Sequence, residues 1–431
     1  NSAQTPLPAV LDKIAEMGPR FLGVPFYQAT RETGLVLCRA VRERFPDIWV
    51  VAGGPLVTTL PESLLGLPEI DLCVIGEGER TLEDVLRCGL AERLNENPES
   101  RYSRLSGIPG LAFVDRDRPI FTGARAPLAD LDQLPFLDFG LINIQGYFAY
   151  HASIEMSSWL FLTTSRGCHA RCSFCATPVL WPGGLRRQSV ARLLAEIAHQ
   201  RRLYPKAQFG FMDDSFFSDK AWLHEFFTGI GTMNVKYCCI GRADHLGIED
   251  VKRLAETGCI YVAMGIETGN QVRQRSLKKY LDLDRVRTTV RLLTEGGIFC
   301  KGFFMLGFPD ETPEEMIETI NFAVELKRLG MGECNFFPVS IYPGTELAST
   351  LPETTFASTI YQAPLVGIPS SEARVQDRPV GEAKLLRYAN IPNEDVNRFF
   401  TASQLLEIVK LAYQKVESTQ NVTLADFPSR K

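Results

Sequence analysis

The sequence predicts an α/β protein: a partial parallel (β/α)6 barrel, preceded by a partial doubly wound, Rossmann-like lobe and followed by a mostly helical C-terminal tail. Three observations support this. Short apolar runs alternate with amphipathic stretches between residues 158 and 342, the same alternation occurs over residues 8–90, and the tail ends in one long amphipathic stretch. Strands that alternate with helices are typical of βαβ units and therefore of parallel sheets.

In the lobe, residues 1–95, the strands are predicted at "FLGVPF" (21–26), "IWVVAGG" (48–54) and "IDLCVIGEGE" (70–79). Residues 96–150 contain "IPGLAFVDRDRPIFTG", which is typical of a hairpin, and then a linker rich in Pro and Asp. The chain opens at Asn1 and its first strand begins only at Phe21, so we expect that it starts part-way into a longer protein.

The barrel is assigned to residues 151–346. Six strands are predicted, over 159–165, 208–214, 236–242, 261–267, 300–307 and 335–342. Helices are predicted after them, over 189–203, 218–230, 248–257, 271–277, 284–296 and 313–329. In such barrels the chemistry lies at the carboxyl ends of the strands. In the tail, 347–431, Thr401-x-x-Gln404 predicts a capping box for a helix over 401–416, with no functional interpretation.

The composition excludes some functions. The net charge of −5 gives no electrostatic reason to expect a nucleic-acid partner, and no run of 18 apolar residues predicts a membrane span. We therefore expect a small-molecule substrate. Without a leader segment, the 11 cysteines are expected to be reduced thiols of a cytoplasmic protein.

Three cysteines stand apart from the rest, in "SRGCHARCSFCATP" at 165–178. Cys168, Cys172 and Cys175 follow a predicted strand within one polar loop, whereas most other cysteines lie singly in apolar settings. Thiolates bind iron–sulfur clusters and zinc, but a structural zinc site is closed by four ligands. His169 is adjacent to Cys168 and poorly placed to be the fourth, so we interpret it as a bystander. A three-ligand cluster would leave one iron open for chemistry.

This Cys-x3-Cys-x2-Cys loop, with an aromatic residue before its third cysteine, resembles that of the radical S-adenosylmethionine (SAM) superfamily. The resemblance implies that Cys168, Cys172 and Cys175 bind a 4Fe-4S cluster whose open iron takes SAM, and that Phe174 lies near the adenine. It also implies that SAM is cleaved to methionine and a 5′-deoxyadenosyl radical.

Downstream segments extend the resemblance to the ends of the later strands: "FMDDSF" (211–216), "GRAD" (241–244), "MGIETG" (264–269), "GFFMLGFPDET" (302–312) and "YPGTEL" (342–347). It implies that Asp214, together with Asp213, serves the SAM amino group or the substrate, that Arg242 pairs with the SAM carboxylate, and that Glu267 binds the ribose hydroxyls. A helix cap at the aspartates and a surface ion pair at Arg242 are the alternatives.

The lobe resembles the second half of the cobalamin-binding domain found before many radical SAM enzymes. The resemblance implies that Gly53 and Gly54 let the backbone approach cobalamin and that Thr58 hydrogen-bonds it. The chain departs from the family because it lacks Asp-x-His-x-x-Gly and has Pro25 and Leu56 where Ser and His are usual. The alternative is a lobe used only for docking.

Together these features predict a cobalamin-dependent radical SAM methyltransferase. Its substrate would be methylated on an unactivated carbon or a phosphorus, and it would receive electrons from a donor such as flavodoxin or ferredoxin. The alternatives are a cobalamin-independent cyclisation, rearrangement or sulfur insertion, and a non-catalytic iron–sulfur or zinc scaffold.

Overall fold

The computed structural model describes residues 5–92, 104–153, 158–351 and 397–429. The chain forms two compact units. The first comprises the described residues of Asn1–Ala129 with Ala176–Gly183 and Tyr342–Ser349, and the second comprises those of Asp130–Cys175, Gly184–Ile341 and Thr350–Lys431. Most of the tail's first half, residues 352–396, lies outside the described residues.

The first unit contains a five-stranded sheet in sequential order, β1 to β5. Its strands are β1 (Phe21–Pro25), β2 (Trp49–Gly53), β3 (Leu72–Val74), β4 (Leu111–Asp115) and β5 (Arg118–Phe121). The first three are parallel, as predicted for the lobe. The predicted hairpin is β4–β5, and it extends the same sheet because β4 pairs antiparallel with β3.

Helices accompany the strands of the first unit: α1 (Leu7–Met17), α2 (Arg31–Arg44), α3 (Pro55–Thr59) and α4 (Gly78–Glu92). One apolar cluster packs around Val24, Cys38 and Val50, and a second around Trp49, Val85 and Phe113. Alternate residues of β2 enter different clusters because successive side chains of a strand point to opposite faces.

The second unit contains six parallel strands in the order β13-β12-β11-β10-β9-β6, which confirms the predicted barrel-like (β/α)6 arrangement. The strands are β6 (Trp159–Leu162), β9 (Gln208–Phe211), β10 (Tyr237–Gly241), β11 (Cys259–Glu267), β12 (Phe299–Leu306) and β13 (Glu333–Pro338). A short ribbon, β7 (Ser165–Arg166) and β8 (Arg186–Arg187), follows β6.

The helices of the barrel are α7 (Val190–Leu203), α8 (Lys220–Ile230), α9 (Ile248–Glu256), α10 (Gln271–Ser276), α11 (Leu283–Glu295) and α12 (Pro313–Arg328). In chain order α5 (Ile144–Ser153) precedes them, whereas α6 (Thr177–Leu180) and α13 (Glu346–Ser349) belong to the first unit. A large apolar core lies between the strands and these helices. Among the described residues, no helix is long and apolar enough to cross a membrane.

The tail ends in a helix that belongs to the barrel's core. This helix, α14 (Ala402–Ser418), begins at the predicted capping box, in which Thr401 Oγ1 accepts from Gln404 N–H (3.3 Å) and Gln404 Oε1 accepts from Thr401 N–H (2.8 Å). Its buried residues recur at helical spacing: Leu405, Ile408, Val409, Ala412 and Val416. These residues pack against β13 and α12, so the last helix of the tail is part of the hydrophobic core.

Candidate active site

The cysteine loop is closed at its base by the β7–β8 ribbon, in which Ser165 pairs with Arg187. Gly167 enters the loop at φ 87°, a backbone conformation that favours glycine. Cys168, Cys172 and Cys175 are all free thiols and all half-buried. Among the described residues, no three His, Cys, Asp or Glu side chains could jointly hold a single metal ion.

Asp213 anchors the entry to this loop. Its carboxylate is buried and accepts four hydrogen bonds, from Thr164 N–H (2.8 Å), Thr164 Oγ1 (2.7 Å), Ser165 N–H (2.6 Å) and Ser165 Oγ (2.8 Å). Arg187 lies close enough for its charge to oppose the rise that burial causes in the pKa of Asp213. The side chain predicted to serve SAM or substrate is thus used to hold β6 and the loop in place. Its neighbour Asp214 is exposed.

Glu267 ends β11 at a register irregularity, with a φ of 69° that is rare for a residue other than glycine. A bulge of this kind re-aims a side chain, and here the carboxylate is buried and bonded to Lys279 Nζ at 2.8 Å. Lys279 is also buried, and the residues on either side of it, Lys278 and Tyr280, have positive φ values. Strained backbone of this kind is concentrated at functional sites.

Arg242 joins this ion pair to the cysteine loop. Its Nη2 donates to the Lys279 carbonyl (2.8 Å), and its guanidinium binds both carboxylate oxygens of Asp244 (3.0 and 2.7 Å). Burial raises the pKa of Cys172, while the nearby charges of Lys279 and Arg242 oppose that rise. The structure therefore brings two of the predicted SAM residues, Arg242 and Glu267, within electrostatic reach of Cys172.

Phe174 contacts the loop that follows β12. Its ring meets that of Phe308 edge to face, with centroids 6.0 Å apart. Glu311 organises this loop by accepting from Gly307 N–H (2.6 Å) and Phe308 N–H (3.1 Å). Complete burial raises the pKa of Glu311 to about 8. His169, the predicted bystander, is exposed.

In the first unit, Gly53 ends β2, Gly54 follows it and Thr58 lies in α3, so the residues predicted to bind cobalamin lie at or just after the carboxyl end of β2, where parallel sheets bind ligands. Gly54 has a φ of 94°, and a Cβ there would press on the Phe26 backbone at 3.1 Å, so the chain itself requires this glycine. Gly53 has no such crowding. Thr58 Oγ1 accepts from Gly76 N–H (3.0 Å), and a Cβ on Gly76 would meet no atom within 4 Å. Gly76, which the sequence analysis did not single out, therefore exposes open backbone beside Thr58.

The structure also gives the positions of the two residues that depart from the usual cobalamin-binding pattern. Pro25 ends β1 and is exposed, and Leu56 is buried in α3.

Comparison with known protein families matches two parts of the chain. The profile of the Radical SAM superfamily matches residues 162–323, and the profile of the B12 binding domain matches residues 2–86. The chain carries a radical SAM domain preceded by a B12-binding domain. The first match contains the cysteine loop, Arg242, Glu267 and Lys279, and the second contains Gly53, Gly54 and Thr58.

Similar proteins include methyltransferases. The chain is 26% identical over 337 residues to an uncharacterized methyltransferase of Pyrococcus horikoshii, covering 78% of this chain and 70% of that protein. It is 27% identical over 368 residues to the cytidylyl-2-hydroxyethylphosphonate methyltransferase of Streptomyces wedmorensis, covering 75% of this chain and 66% of that protein. The chain thus spans about two thirds of the length of these relatives.

The same fold occurs in the radical S-adenosylmethionine methyltransferase TsrM from Kitasatospora setae, solved with cobalamin and a 4Fe-4S cluster. That structure has a TM-score of 0.69 and 17% identity, and covers 98% of this chain and 83% of that one. The cobalamin-dependent radical enzyme OxsB has a TM-score of 0.60 at 17% identity, covering 80% of this chain and 48% of that one.

These domains imply three cofactors: a 4Fe-4S cluster, SAM and cobalamin. The residues fit the first two, because the loop offers three thiols and the adjacent site combines cations, which suit a carboxylate, with a carboxylate, which suits hydroxyls. Open backbone at Gly76 fits a ligand that lies against the main chain. The sequence analysis missed Lys279, because nothing in "SLKKY" tells which lysine turns inward.

Proposed function

We propose that this protein is a cobalamin-dependent radical SAM methyltransferase that acts on an unactivated carbon or a phosphorus of a small molecule. The observation that carries the proposal is the presence of both domains in one chain, with Arg242, Glu267 and Lys279 gathered beside the cysteine loop. The methyltransferases among its relatives support the same reaction class.

When bound, the cluster and SAM supply a radical that removes hydrogen from the substrate, and cobalamin supplies the methyl group. The chain's part is to hold and orient these groups and to exclude water. Cys168, Cys172 and Cys175 would bind the cluster, and Phe174 would pack against the adenine.

In the adjoining site, Arg242 would pair with the SAM carboxylate and Glu267 would accept from the ribose hydroxyls. Asp214, exposed beside the anchored Asp213, would serve the amino group. Lys279, at 2.8 Å from Glu267 Oε1, would hold that carboxylate in place. In the first unit, Gly53, Gly54 and Thr58, together with Gly76, would line the cobalamin site.

We further propose that the protein works in the cytoplasm and receives electrons from a flavodoxin or ferredoxin. All eleven cysteines lie within the described residues and are free thiols, which suits a reducing compartment. A reduced cluster needs a donor of low potential, and small electron carriers of this kind supply it.

The proposal is tested by anaerobic reconstitution with iron, sulfide and cobalamin, followed by SAM and dithionite. We expect 5′-deoxyadenosine, and we expect cobalt to remain with the purified protein. Cys172→Ala should abolish 5′-deoxyadenosine formation, whereas Cys88→Ala, a half-buried cysteine outside the loop, should retain it.

Each failure has its own meaning. Retained iron without 5′-deoxyadenosine would contradict the enzyme and favour a scaffold. 5′-Deoxyadenosine without bound cobalt would contradict the methyl transfer and favour a cobalamin-independent radical reaction.

A further inference from the structure

The cysteine loop is bonded to a segment of the second unit that reaches the surface. Ser173, which follows Cys172, donates from its backbone N–H to the Leu277 carbonyl (2.9 Å), and its hydroxyl donates to the same oxygen (3.4 Å). Leu277 directly precedes Lys278, which is exposed. Because only two peptide units and one hydrogen bond separate them, the Cα atoms of Cys172 and Lys278 lie within roughly 14 Å of each other.

The two segments that meet at this hydrogen bond carry positive charge and no negative charge. Residues 165–175 and 271–281 contain neither Asp nor Glu. Their cations are Arg166, Arg171, Arg273, Arg275, Lys278 and Lys279. The chain as a whole has a net charge of −5, so this area is a local exception to its overall charge.

Two of these cations are buried and are already paired. Arg273 binds Asp310 and Glu315, each at 2.6 Å, and Lys279 binds Glu267 at 2.8 Å. These two side chains therefore support the site from within and contribute little positive charge to the surface.

Three other cations are exposed: Arg171, Arg275 and Lys278. Within the part of the chain that the structure describes, no carboxylate pairs with Arg171 or Arg275. The first exposed carboxylate after Lys278 is that of Asp282, which caps α11 by accepting from Asp284 N–H (2.9 Å). Two guanidinium groups thus present positive charge to solvent beside the cysteine loop.

Exposed apolar side chains accompany these charges. Val272 is 70% exposed and lies three residues before Arg275, so the two side chains share one face of α10. Tyr280 is 65% exposed and lies two residues after Lys278. Aromatic residues and arginine are enriched where one protein binds another, whereas a small anion would gain nothing from exposed Val272 and Tyr280. The composition of this area therefore favours a protein as partner.

We propose that Arg171, Val272, Arg275, Lys278 and Tyr280 form a docking surface for an acidic one-electron carrier protein. The inference rests on the proposed function, because it names the surface at which the electron donor of that function binds. One electron passes from the reduced carrier to the oxidised cluster, so the carrier is oxidised by one electron and the cluster is reduced by one, and no covalent bond forms or breaks.

Charge complementarity favours this partner over others. An acidic carrier is repelled by a chain of net negative charge but attracted by a local positive area, and this contrast orients the carrier as it approaches. Arg171 lies in the cysteine loop itself, between Cys168 and Cys172, so the orientation that satisfies the charges also brings the two redox centres close together. Transient redox encounters bury less than about 1,200 Å², so five exposed side chains are enough for one.

The proposal is tested with two triple variants that remove equal charge. The docking variant is Arg171→Gln/Arg275→Gln/Lys278→Gln, and it changes no residue to which we assign the cluster or SAM. The control variant replaces by Gln three exposed cations that precede β9 or β10, at the opposite end of the parallel sheet: Arg202, Lys206 and Lys236.

Direct binding is measured by isothermal titration calorimetry of a plant-type 2Fe-2S ferredoxin into the full, cluster-loaded chain at low salt. We expect saturable binding that weakens as salt screens the charges. The docking variant should bind about tenfold more weakly, and the control variant within about twofold of the unaltered chain. The proposal is overturned if the ferredoxin does not bind, if both variants lose affinity equally, or if phosphatidylserine vesicles bind to this surface and the ferredoxin does not.

Formation of 5′-deoxyadenosine separates docking from chemistry. With reduced ferredoxin as the only electron source, the docking variant should react about tenfold more slowly at low salt than the unaltered chain. With dithionite, a small reductant that needs no docking surface, the two should agree within about twofold. An equal loss with both reductants would show that the substitutions damage the site and not the docking.

The two proposals fail in different ways. If neither reductant yields 5′-deoxyadenosine, while the docking variant alone weakens ferredoxin binding, the proposed function is wrong and the docking surface stands. If dithionite supports the reaction but ferredoxin neither binds nor supports it, the docking surface is wrong and the proposed function stands.

Discussion

At the scale of the residue, the site depends on ionisable groups that are buried and specifically paired. Glu267 has an unfavourable φ and is buried, and its carboxylate lies 2.8 Å from Lys279 Nζ. A buried ion pair is weak evidence for stability, since both charges are desolvated. In the role that we propose for Glu267, the pair would aim the carboxylate at the ribose hydroxyls of SAM.

Removing the cation should therefore be costly. We expect Lys279→Met to lower the free energy of unfolding by about 3 kcal/mol, because it leaves Glu267 buried without its partner, and to weaken SAM binding. Guanidinium denaturation and SAM titration measure the two effects. The double variant Lys279→Met/Glu267→Leu should regain most of the stability but not the SAM binding.

The neighbouring lysine provides the control. Lys278 is exposed, and Lys278→Met should change stability by less than about 0.5 kcal/mol. Equal effects of the two lysine substitutions would show that the ion pair does not position Glu267.

A second buried carboxyl makes stability depend on pH. Glu311 has a pKa of about 8 in the folded protein, well above the ordinary pKa of a glutamate. At pH values between these two pKa values, Glu311 is protonated in the folded state and charged in the unfolded state. The unfolded state then binds fewer protons, and stability falls as pH rises, by up to about 1.4 kcal/mol per pH unit. The contribution of Glu311 to the free energy of unfolding is complete at pH values below the ordinary carboxyl pKa, and it is lost as the pH rises through about 8.

Glu311→Gln should remove this dependence and keep an oxygen for the Gly307 and Phe308 N–H groups. Urea unfolding at several pH values between 5 and 8 tests this prediction. As the pH rises, the free energy of unfolding of the variant should increase relative to that of the unaltered protein. A constant difference between the two proteins would mean that Glu311 is already charged when folded.

At the scale of the element, the tail braces the loop that touches Phe174. Asn397 is fully buried; it donates to the carbonyls of Phe308 (2.7 Å) and Glu311 (3.0 Å) and accepts from Phe399 N–H and Phe400 N–H. Two of these bonds tie the start of the tail's described part to the loop after β12, and the other two hold the backbone of Phe399 and Phe400 to the same side chain. The tail is therefore part of the site's support and not an appendage.

Asn397→Ala should cost about 3 kcal/mol, since it leaves buried backbone groups without partners, and should weaken SAM binding several-fold by loosening the Phe308 loop. Thermal unfolding and SAM titration measure these. Asn421→Ala, an exposed asparagine of the same tail, should be close to neutral in both assays. If Asn397→Ala lowers stability but leaves SAM affinity intact, the clamp has only a structural role.

At the scale of the whole molecule, the proposed cofactor-binding residues are divided between the two units. The cysteine loop up to Cys175 lies in the second unit, and Gly53, Thr58 and Gly76 lie in the first. We expect that one substitution can remove iron without cobalt, and that another can remove cobalt without iron. Cys172→Ala should lose iron and retain cobalt, and Thr58→Val, which removes the hydroxyl at Gly76 N–H, should lower cobalt and retain iron. Metal analysis of both anaerobically purified variants checks this, and a joint loss of both metals in either variant would contradict it.

Much of the fold could be predicted from the sequence. The predicted barrel strands and helices match the observed elements within a few residues, and the hairpin and the capping box at Thr401 are both present. These features are encoded by neighbours in the chain, through apolar periodicity, turn residues and caps. The cysteine spacing is also local, and it identified the radical SAM domain.

Other roles required the tertiary structure. Asp213 appeared free to serve SAM, but the fold uses it to anchor Thr164 and Ser165. Which of Lys278 and Lys279 turns inward depends on a strained turn, and the tail's clamp at Asn397 depends on a loop 86 residues away in sequence.

The sequence by itself determined the two domain types, the order of strands and helices, and the three thiols, because each is written in residues that are near one another along the chain. Only the tertiary structure decided which charged groups are buried, what each one binds, and that Asn397 reaches the loop after β12. Burial and pairing depend on contacts between distant segments, and those contacts exist only once the chain has folded.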